Sequence, residues 1–250
     1  LPVLCAALLC DEPVCIENLP DIQDVHVMFE LLSRLGAKVQ VSGHTAVIDP
    51  ARLTSTKAPY ELCCKMRGSY YVLGALLGKV GECIIPFPGG CEIGSGSRPI
   101  DQHLKGFRAL GAEIDDRYGL VDARAAALTG TEVFFDLVTV GGTINVMLAA
   151  ARAKGNTTIF NAAKEPHVVD TANFLNSMGA RIRGAGTDVI RIRGVDSLHQ
   201  STYTVIPDQI ETGTMMIAAA ATHGDVAIHG CIPAHMEALT AKLLEMGVRV

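Results

Sequence analysis

Four similar segments, spaced about 70 residues apart, constrain the fold of this chain more than any other feature. Each segment is amphipathic and ends in a glycine that is followed by a short apolar stretch: SRLGAKV, RALGAEI, NSMGARI and LEMGVRV. Upstream of each lies an apolar segment of small residues, such as INVMLAAARAKG (144–155) and TGTMMIAAAATHG (212–224). A chain with a fixed period is built from structural repeats, so this period sets the architecture.

Every repeat predicts the same order of elements. A helix of small residues is followed by a short β segment, a turn containing proline, and an amphipathic helix that stops at a glycine with a left-handed backbone. Two β segments then form a hairpin, with Gly43 in the turn of one repeat and Gly184 to Gly186 in that of another. The repeat is therefore a βαβαββ unit. Because the small-residue helices are apolar nearly all round, we expect them inside and the sheets outside. The alternative is a generic α/β sandwich made by duplication.

The register of the repeats also predicts the domains. Residues 1–206 are expected to form a first domain of three repeats whose first strand is missing, and residues 207–250 to begin a second, incomplete domain. The chain starts at Leu1 with a helix and stops at GVRV, where a hairpin should start. We therefore expect it to be a fragment of a longer protein.

Composition narrows the possible partners. The chain is 49% hydrophobic and 19% charged, as in a globular protein, and its net charge is −5. No run of Lys and Arg is present, so neither nucleic acid nor a membrane is expected as a partner. The eight cysteines form no C-x-x-C pair and no zinc-type cluster. No metal or cofactor is therefore predicted, and reduced thiols in the cytoplasm are expected.

One stretch, PFPGGCEIGSGSRPID (86–101), does not read as a core strand. By register it joins a short strand to an amphipathic helix, and it is longer than the same joint in the other repeats. Long glycine-bearing loops are commonly functional. Cys91 could act as nucleophile or proton donor, and Arg98 carries a fork of donors that fits a phosphate or carboxylate. Asp101 could cap the helix or accept from a ligand hydroxyl. The alternative for Cys91 is an ordinary surface thiol.

Three further segments are candidates for contact with a ligand. Arg67, in KMRGS, lies near a helix start and calls for an anion, either a ligand or a carboxylate such as Glu61. The small residues of FDLVTVGGTIN (135–145) could expose backbone N–H groups to a phosphate, or form only a tight turn. In PDQIETGT (207–214), Asp208 either is structural or lines a cleft.

The motif PGGCEIG…RPID, together with APYEL, KMRGS, TIFNAAKEP, DTANFLNSMGA, GAGTDVIRI and PDQIETGT, resembles the UDP-N-acetylglucosamine enolpyruvyl transferase family over the whole chain. The resemblance implies an inverted α/β barrel of repeated βαβαββ units, the fold shared with EPSP synthase. It also implies a cytoplasmic enzyme that transfers enolpyruvyl from phosphoenolpyruvate to the 3′-hydroxyl of UDP-N-acetylglucosamine by addition and elimination, the first committed step of peptidoglycan synthesis. The family's further catalytic residues would lie outside these 250 residues, so the chain alone is expected to be inactive.

The resemblance assigns roles residue by residue. It implies that Cys91 is the catalytic thiol, which protonates the methylene carbon and reacts with the epoxide fosfomycin. It implies that the substrates are bound by Arg67, Arg98, Pro99, Ile100, Asp101, Gln102, Thr139, Val140, Gly141 and Asp208. The sequence departs from the family at Gln209, where arginine is common.

Two other functions are compatible with the repeats. One is a 3-phosphoshikimate enolpyruvyl transferase-like enzyme, which shares the fold but lacks the cysteine loop. The other is a non-catalytic paralogue that binds sugar nucleotides. Gln209 and the long loop support this second alternative. The sequence does not predict an oligomeric state.

Overall fold

The structure is a computed structural model that describes residues 1–87 and 100–250. Within these residues the chain forms two compact units, a larger one of residues 1–205 and a smaller one of residues 206–250. Three of the predicted site residues, Cys91, Arg98 and Pro99, lie outside the described residues.

The described elements follow the order that the repeats predict, with two exceptions: Lys57 forms only an isolated bridge where the second repeat predicts a strand, and residues 226–230 form none. The helices are α1 (Pro2–Ala6), α2 (Gln23–Arg34), α3 (Tyr60–Cys63), α4 (Tyr71–Val80), α5 (Asp101–Ala109), α6 (Val140–Ala150), α7 (Pro166–Ser177), α8 (Gln209–Ala221) and α9 (Glu237–Glu245). The strands are β1 (Val14–Glu17), β2 (Lys38–Ser42), β3 (Thr45–Asp49), β4 (Glu82–Pro86), β5 (Glu113–Asp115), β6 (Leu120–Arg124), β7 (Glu132–Phe134), β8 (Asn156–Phe160), β9 (Arg181–Arg183), β10 (Val189–Arg193) and β11 (Thr202–Thr204). No helix of the described residues is long and apolar enough to cross a bilayer.

The strands form three sheets with the orders β11-β1-β3-β2, β4-β6-β5 and β7-β8-β10-β9. In each sheet the strand before the amphipathic helix pairs antiparallel with the second strand of the following hairpin. In two sheets this strand has a parallel neighbour on its other side, β11 beside β1 and β7 beside β8. The parallel neighbour of the first repeat's strand thus comes from far along the chain, residues 202–204.

The small-residue helices form the buried layer of the larger unit, and the sheets lie outside it. Every residue of α6 from Gly142 to Ala150 is buried. Strand residues alternate instead between a buried side chain and a more exposed one, as in Leu120–Arg124 and Val189–Arg193. The prediction of helices inside and sheets outside is confirmed. The four repeat glycines at 36, 111, 179 and 247 have φ between +85° and +106°, which confirms the predicted helix stops.

The buried helices α4 and α6 run in the same direction, and glycines let them approach closely. A side chain at Gly74 of α4 would meet the carbonyl of Asn145, and one at Gly78 would meet Leu148 and Ala149, farther along α6. Both helices therefore begin at the same end of the layer. At the other end Lys79 donates to the carbonyl of Cys10 and to the Asp11 carboxylate.

Arg152, just after α6, completes this second end. Its guanidinium donates to the carbonyl of Leu9 (2.8 Å), to the carboxylate of Asp11 (3.0 Å) and to the carbonyl of Asp196 (2.6 Å). Cations at the carboxyl ends of helices are stabilised by the negative end of the helix dipole. Four distant parts of the chain are joined here.

One prediction for the smaller unit is wrong: the short β segment that the repeat places after its small-residue helix. Residues 226–230 (VAIHG) are not a strand, because no second strand within the described chain offers them a ladder. The helix before them, α8, begins at Gln209 and is capped by Asp208. The Asp208 carboxylate accepts the N–H of Ile210 at 2.7 Å.

Candidate functional site

Three helices of the larger unit begin at one place, which is where most of the described site residues lie. Helices α4 and α6 start at the same end of the buried layer, and α5 crosses α6 with Gly106 against Val146. Near its start, His103 of α5 lies against Gly141 in the first turn of α6. The amino ends of helices carry partial positive charge and unpaired N–H groups. This end of the layer is therefore suited to anions.

A chain of hydrogen bonds joins the three helices. The backbone N–H of Gly74, in the first turn of α4, donates to Oδ1 of Asn145 at 2.9 Å. The Asn145 amide nitrogen lies 3.0 Å from Nδ1 of His103. All three residues are buried. Since Oδ1 receives the Gly74 N–H, the other end of the amide is the donor, and Nδ1 of His103 is the acceptor.

This assignment fixes the state of the His103 ring. A neutral ring that accepts at Nδ1 carries its proton on Nε2, and a charged ring would place a proton against the Asn145 amide. Burial, with a smaller effect of the nearby charge of Arg67, lowers the pKa of His103 to about 4, although Asp101 acts in the opposite direction. His103 is therefore neutral at pH 7 and directs an N–H from Nε2 towards Gly141.

Arg67, predicted to contact a substrate, lies beside this group. It opens the 3₁₀ helix Arg67–Tyr70, which leads directly into α4. Burial raises the pKa of the Tyr70 hydroxyl, and the charge of Arg67 acts in the opposite direction. The ring of Tyr70 contacts His103 edge-on, with centroids 5.7 Å apart. Arg67 is half-buried, so its charge is close to these rings and still reachable from solvent.

The predicted phosphate segment forms the start of α6. Thr139 is the residue before the helix, and its hydroxyl accepts the N–H of Gly142 at 3.2 Å. Among the hydrogen bonds of the described residues, none uses the backbone N–H of Val140 or Gly141. A Cβ on Gly141 would lie 2.8 Å from Cε1 and 2.9 Å from Nε2 of His103. Only glycine therefore fits between the helix start and this ring.

The start of α5 carries the other predicted residues. Asp101 is the first residue of the helix and does not cap it; the preceding residue, Ile100, is the N-cap and has no side-chain cap bond. Instead the Asp101 carboxylate accepts from Gln102 at 2.9 Å. Gln102 also bonds the backbone N–H of Asp136 at 3.0 Å, which ties α5 to the segment before α6. Of the two alternatives for Asp101, the helix cap is not what the structure shows.

The remaining predicted residues are not part of this group. Asp208 belongs to the smaller unit, where its carboxylate caps α8. Within the larger unit the structure thus brings together the three separate segments around Arg67, Asp101–Gln102 and Thr139–Gly141.

Sequence reasoning missed His103 and Asn145, which join those segments. They lie 42 residues apart in different repeats, and each sits within an otherwise helical pattern. The one available signal was polarity: a histidine and an asparagine occur where the helix faces are otherwise apolar. Together with Arg67 they form a group that offers N–H donors, positive charge and partial exclusion of water, which is the chemistry needed to bind phosphate.

Comparison with known proteins gives a family match over the whole chain. The profile of the family described as EPSP synthase (3-phosphoshikimate 1-carboxyvinyltransferase) matches residues 1–250. UDP-N-acetylglucosamine 1-carboxyvinyltransferase 3 of Caldanaerobacter subterraneus subsp. tengcongensis is 58% identical over 248 residues, which is 99% of this chain and 59% of that protein. UDP-N-acetylglucosamine 1-carboxyvinyltransferase 2 of Geobacillus kaustophilus is 54% identical over 98% of this chain and 57% of that protein. The chain thus spans less than two thirds of the length of these relatives.

Solved structures show the same fold. The enolpyruvyl transferase NikO from Streptomyces tendae matches with a TM-score of 0.75 and 28% identity, over 87% of this chain and 52% of that chain. EPSP synthase from Acinetobacter baumannii matches with a TM-score of 0.65 over 87% of this chain and 50% of that chain. Because its sequence identity is 15%, this match supports the fold alone. The predicted EPSP-synthase-like fold is confirmed.

Proposed function

Because this chain belongs to the EPSP synthase family of carboxyvinyltransferases, we propose that its protein transfers enolpyruvyl from phosphoenolpyruvate to the 3′-hydroxyl of UDP-N-acetylglucosamine. The names of the relatives at 58% and 54% identity support this acceptor. The observation that carries the proposal is the convergence of three helix starts on Arg67 and His103. Both substrates are phosphorylated, and this is where the described chain offers charge and N–H groups together.

In this proposal the start of α6 holds the diphosphate of the sugar nucleotide. The N–H groups of Val140 and Gly141 have no hydrogen-bond partner among the described residues, and the Thr139 hydroxyl caps that turn at Gly142. Helix starts bind phosphate through such N–H groups. A neutral His103 adds an N–H donor beside Gly141 without adding a charge. Arg67 supplies the charge, and Asp101 and Gln102 lie at the neighbouring helix start.

The chemical step follows from the resemblance of the loop. Cys91 gives a proton to the methylene carbon of phosphoenolpyruvate while the acceptor oxygen bonds to the adjacent carbon and releases its own proton. Elimination then removes a proton from the new methyl group and expels phosphate, which restores the double bond. Arg98 would stabilise the phosphate and carboxylate charges during both steps. Cys91 and Arg98 stay predictions from the sequence.

The proposal extends to the domains and the location of the protein. It takes residues 1–206 as one domain and 207–250 as the start of another, which the change of compact unit after Val205 supports. It also takes the protein to be cytoplasmic. The seven cysteines within the described residues are free thiols, as expected in a reducing compartment.

Ligand-induced stabilisation tests the choice of acceptor. With the full-length protein, we expect UDP-N-acetylglucosamine to raise the melting temperature and shikimate 3-phosphate to leave it unchanged, because a ligand stabilises the state that binds it. Phosphate release should then require phosphoenolpyruvate and UDP-N-acetylglucosamine together. Stabilisation by shikimate 3-phosphate alone would refute the proposed acceptor, and binding without phosphate release would favour a non-catalytic sugar-nucleotide binder.

A pair of glycine variants tests the place of binding. In Gly141→Ala the added methyl group would push against His103, so we expect KM for UDP-N-acetylglucosamine to rise roughly tenfold or more. Gly224→Ala, whose Cβ would meet its nearest neighbour at an ordinary 3.4 Å, is the control and should leave KM unchanged. Equal KM values for the two variants would contradict a nucleotide site at the start of α6.

A further inference from the structure

The outer face of the sheet β7-β8-β10-β9 carries four arginines. Arg181 and Arg183 lie on β9, and Arg191 and Arg193 lie on β10. In both strands the residues between them are buried isoleucines, so alternation along the strand puts all four arginine side chains on the exposed face. None of these residues belongs to the candidate site described above.

The strand register places these charges opposite each other. Arg191 pairs with Arg183 and Arg193 pairs with Arg181 across the antiparallel ladder. Side chains at directly opposite positions have Cβ atoms about 5 Å apart, and like charges there destabilise the sheet. Positions two apart on one strand are separated by about 7 Å. The Cβ atoms of the four arginines therefore lie at the corners of a rectangle of about 5 by 7 Å.

No carboxylate of the described chain lies within ion-pair distance of any of these four arginines. The sheet β4-β6-β5 differs, since Arg124 on its outer face pairs with Asp122 at 2.8 Å and with Glu82 at 3.5 Å. On the arginine face the neighbouring strand β8 supplies neutral residues, Asn156 opposite Arg193 and Thr158 opposite Arg191. Glu132 of β7 lies on the same face, but β8 separates it from Arg191. In a chain with a net charge of −5, the four arginines thus form a positive surface with no carboxylate of the described residues paired to it.

The arginine face is concave, and hydrogen bonds from α7 fix the position of one of its strands. The four arginines line a depression of about 860 Å³ together with Asn156, Thr158 and Asn176. Asn176 of α7 bonds both the N–H and the carbonyl of Ile182 at 2.9 Å, which fixes β9 against the helix. A depression of this size is in the range of small-molecule sites.

We propose that this arginine face binds a small soluble anion that carries at least two adjacent phosphate groups. Guanidinium forks bind phosphate oxygens in pairs, and two or more phosphates would neutralise the repulsion between opposite arginines. The concave shape and the short spacing favour a compact oligophosphate over an extended polymer. This site is separate from the proposed enolpyruvyl transfer and does not depend on it.

Calorimetric titration with tripolyphosphate, using the full-length protein at low ionic strength, tests the proposal. We expect binding of one tripolyphosphate at the arginine face, much weaker binding of orthophosphate, and a marked loss of affinity as salt is added. Arg183→Gln combined with Arg191→Gln should weaken tripolyphosphate binding roughly tenfold or more. Arg117→Gln combined with Arg124→Gln, two exposed arginines paired with carboxylates, is the matched control and should change binding less than about twofold.

Thermal melting provides a readout that a purely structural role would not give. Without anion, the Arg183/Arg191 double variant should melt at the same temperature as the parent or higher, because a like-charge repulsion is removed. With tripolyphosphate, the parent should gain stability and the double variant should gain less. Equal stabilisation of both proteins would overturn the proposal.

Two competing explanations have their own outcomes. If saturating UDP-N-acetylglucosamine abolished tripolyphosphate binding, the anion would occupy the candidate site and the proposal would fail, while the proposed function would stand. If tripolyphosphate did not bind but single-stranded DNA or vesicles of anionic lipid bound through the same arginines, the proposal would be overturned in favour of a macromolecular partner. Binding that persists beside the sugar nucleotide and is lost in the double variant supports it.

Discussion

At the scale of single residues, His103 is held neutral by two constraints that act together. Burial and the charge of Arg67 lower its pKa to about 4, and the Asn145 amide donates to the nitrogen that a second proton would need. In the unfolded chain the same ring titrates near its ordinary value of 6.5. Between these two values the unfolded state binds a proton that the folded state does not.

His103 should therefore make folding depend on pH. Stability is lost as the pH falls from about 6.5 through about 4, and the loss levels off below the folded pKa. The complete loss of folding stability from this ring is roughly 3 kcal/mol, because each unit of difference between the folded and unfolded pKa corresponds to about 1.4 kcal/mol. We predict that denaturant unfolding at pH 7 and pH 4 differs less for His103→Gln than for the parent, by up to about that amount. A variant with an unchanged difference would contradict a neutral buried His103.

Some of the site was open to prediction at this scale and some was not. Arg67 and the segment Thr139–Gly141 follow from local cues, a cation at a helix start and small residues before a helix. For Asp101 the sequence left a helix cap and a ligand contact open, and the N-cap of α5 is Ile100 instead. His103 and Asn145 could not be paired, because their contact depends on how two helices cross and not on their own neighbours in sequence.

At the scale of elements, the two ends of the buried helix layer carry different chemistry. The starting ends of α4, α5 and α6 meet at Arg67 and His103. At the carboxyl ends of α4 and α6 lie Lys79 and Arg152, and both form ion pairs with Asp11. Burial raises the pKa of Asp11, but hydrogen bonds from Lys79 and Arg152 outweigh this effect, so the net pKa is lowered. One end is thus satisfied internally, and the other keeps donors available.

Arg152 should therefore matter for stability more than other arginines. Its side chain is 16% exposed and donates to Leu9, Asp11 and Asp196. We predict that Arg152→Met lowers the free energy of unfolding by about 2–3 kcal/mol, because two carbonyls and a carboxylate lose a charged donor. Arg117→Met, which removes an exposed arginine bonded to Asp115 two residues away, should cost much less, because solvent screens an exposed ion pair. Equal losses in denaturant unfolding would show that the Arg152 contacts contribute nothing specific.

The elements themselves were largely predictable, since the period of the glycines and the alternation of apolar residues specify helix, strand and hairpin. The exception at residues 226–230 shows the limit: a β pattern becomes a strand only where a ladder partner exists. The arginine face was also visible in principle, as two R-I-R triplets flanking one turn. A search for runs of consecutive charge overlooks it, because strand alternation spreads the charges two residues apart.

At the scale of the whole molecule, the cysteines differ in burial and therefore in reactivity. Burial raises the pKa of Cys5 and of Cys63 to about 12, and raises that of Cys83 well above its usual range. A thiol reacts as the thiolate, so these three are expected to be inert.

Alkylation of the full-length protein tests the assignment of the catalytic thiol. We predict that fosfomycin labels Cys91, faster when UDP-N-acetylglucosamine is bound, and that peptide mapping finds no label on Cys5, Cys63 or Cys83. The three buried cysteines serve as internal controls for intact folding. Label on any of them with none on Cys91 would rule out Cys91 as the reactive thiol.

The pairing of β1 with β11 has a consequence for synthesis on the ribosome. Asn18, at the end of β1, bonds the carbonyl of Val205, 187 residues later. Translation at 5–20 residues per second would add those residues in roughly ten to forty seconds. Throughout that interval β1 lacks the strand that pairs with it in the folded structure, so the nascent chain carries an unpaired sheet edge until residues 202–204 emerge.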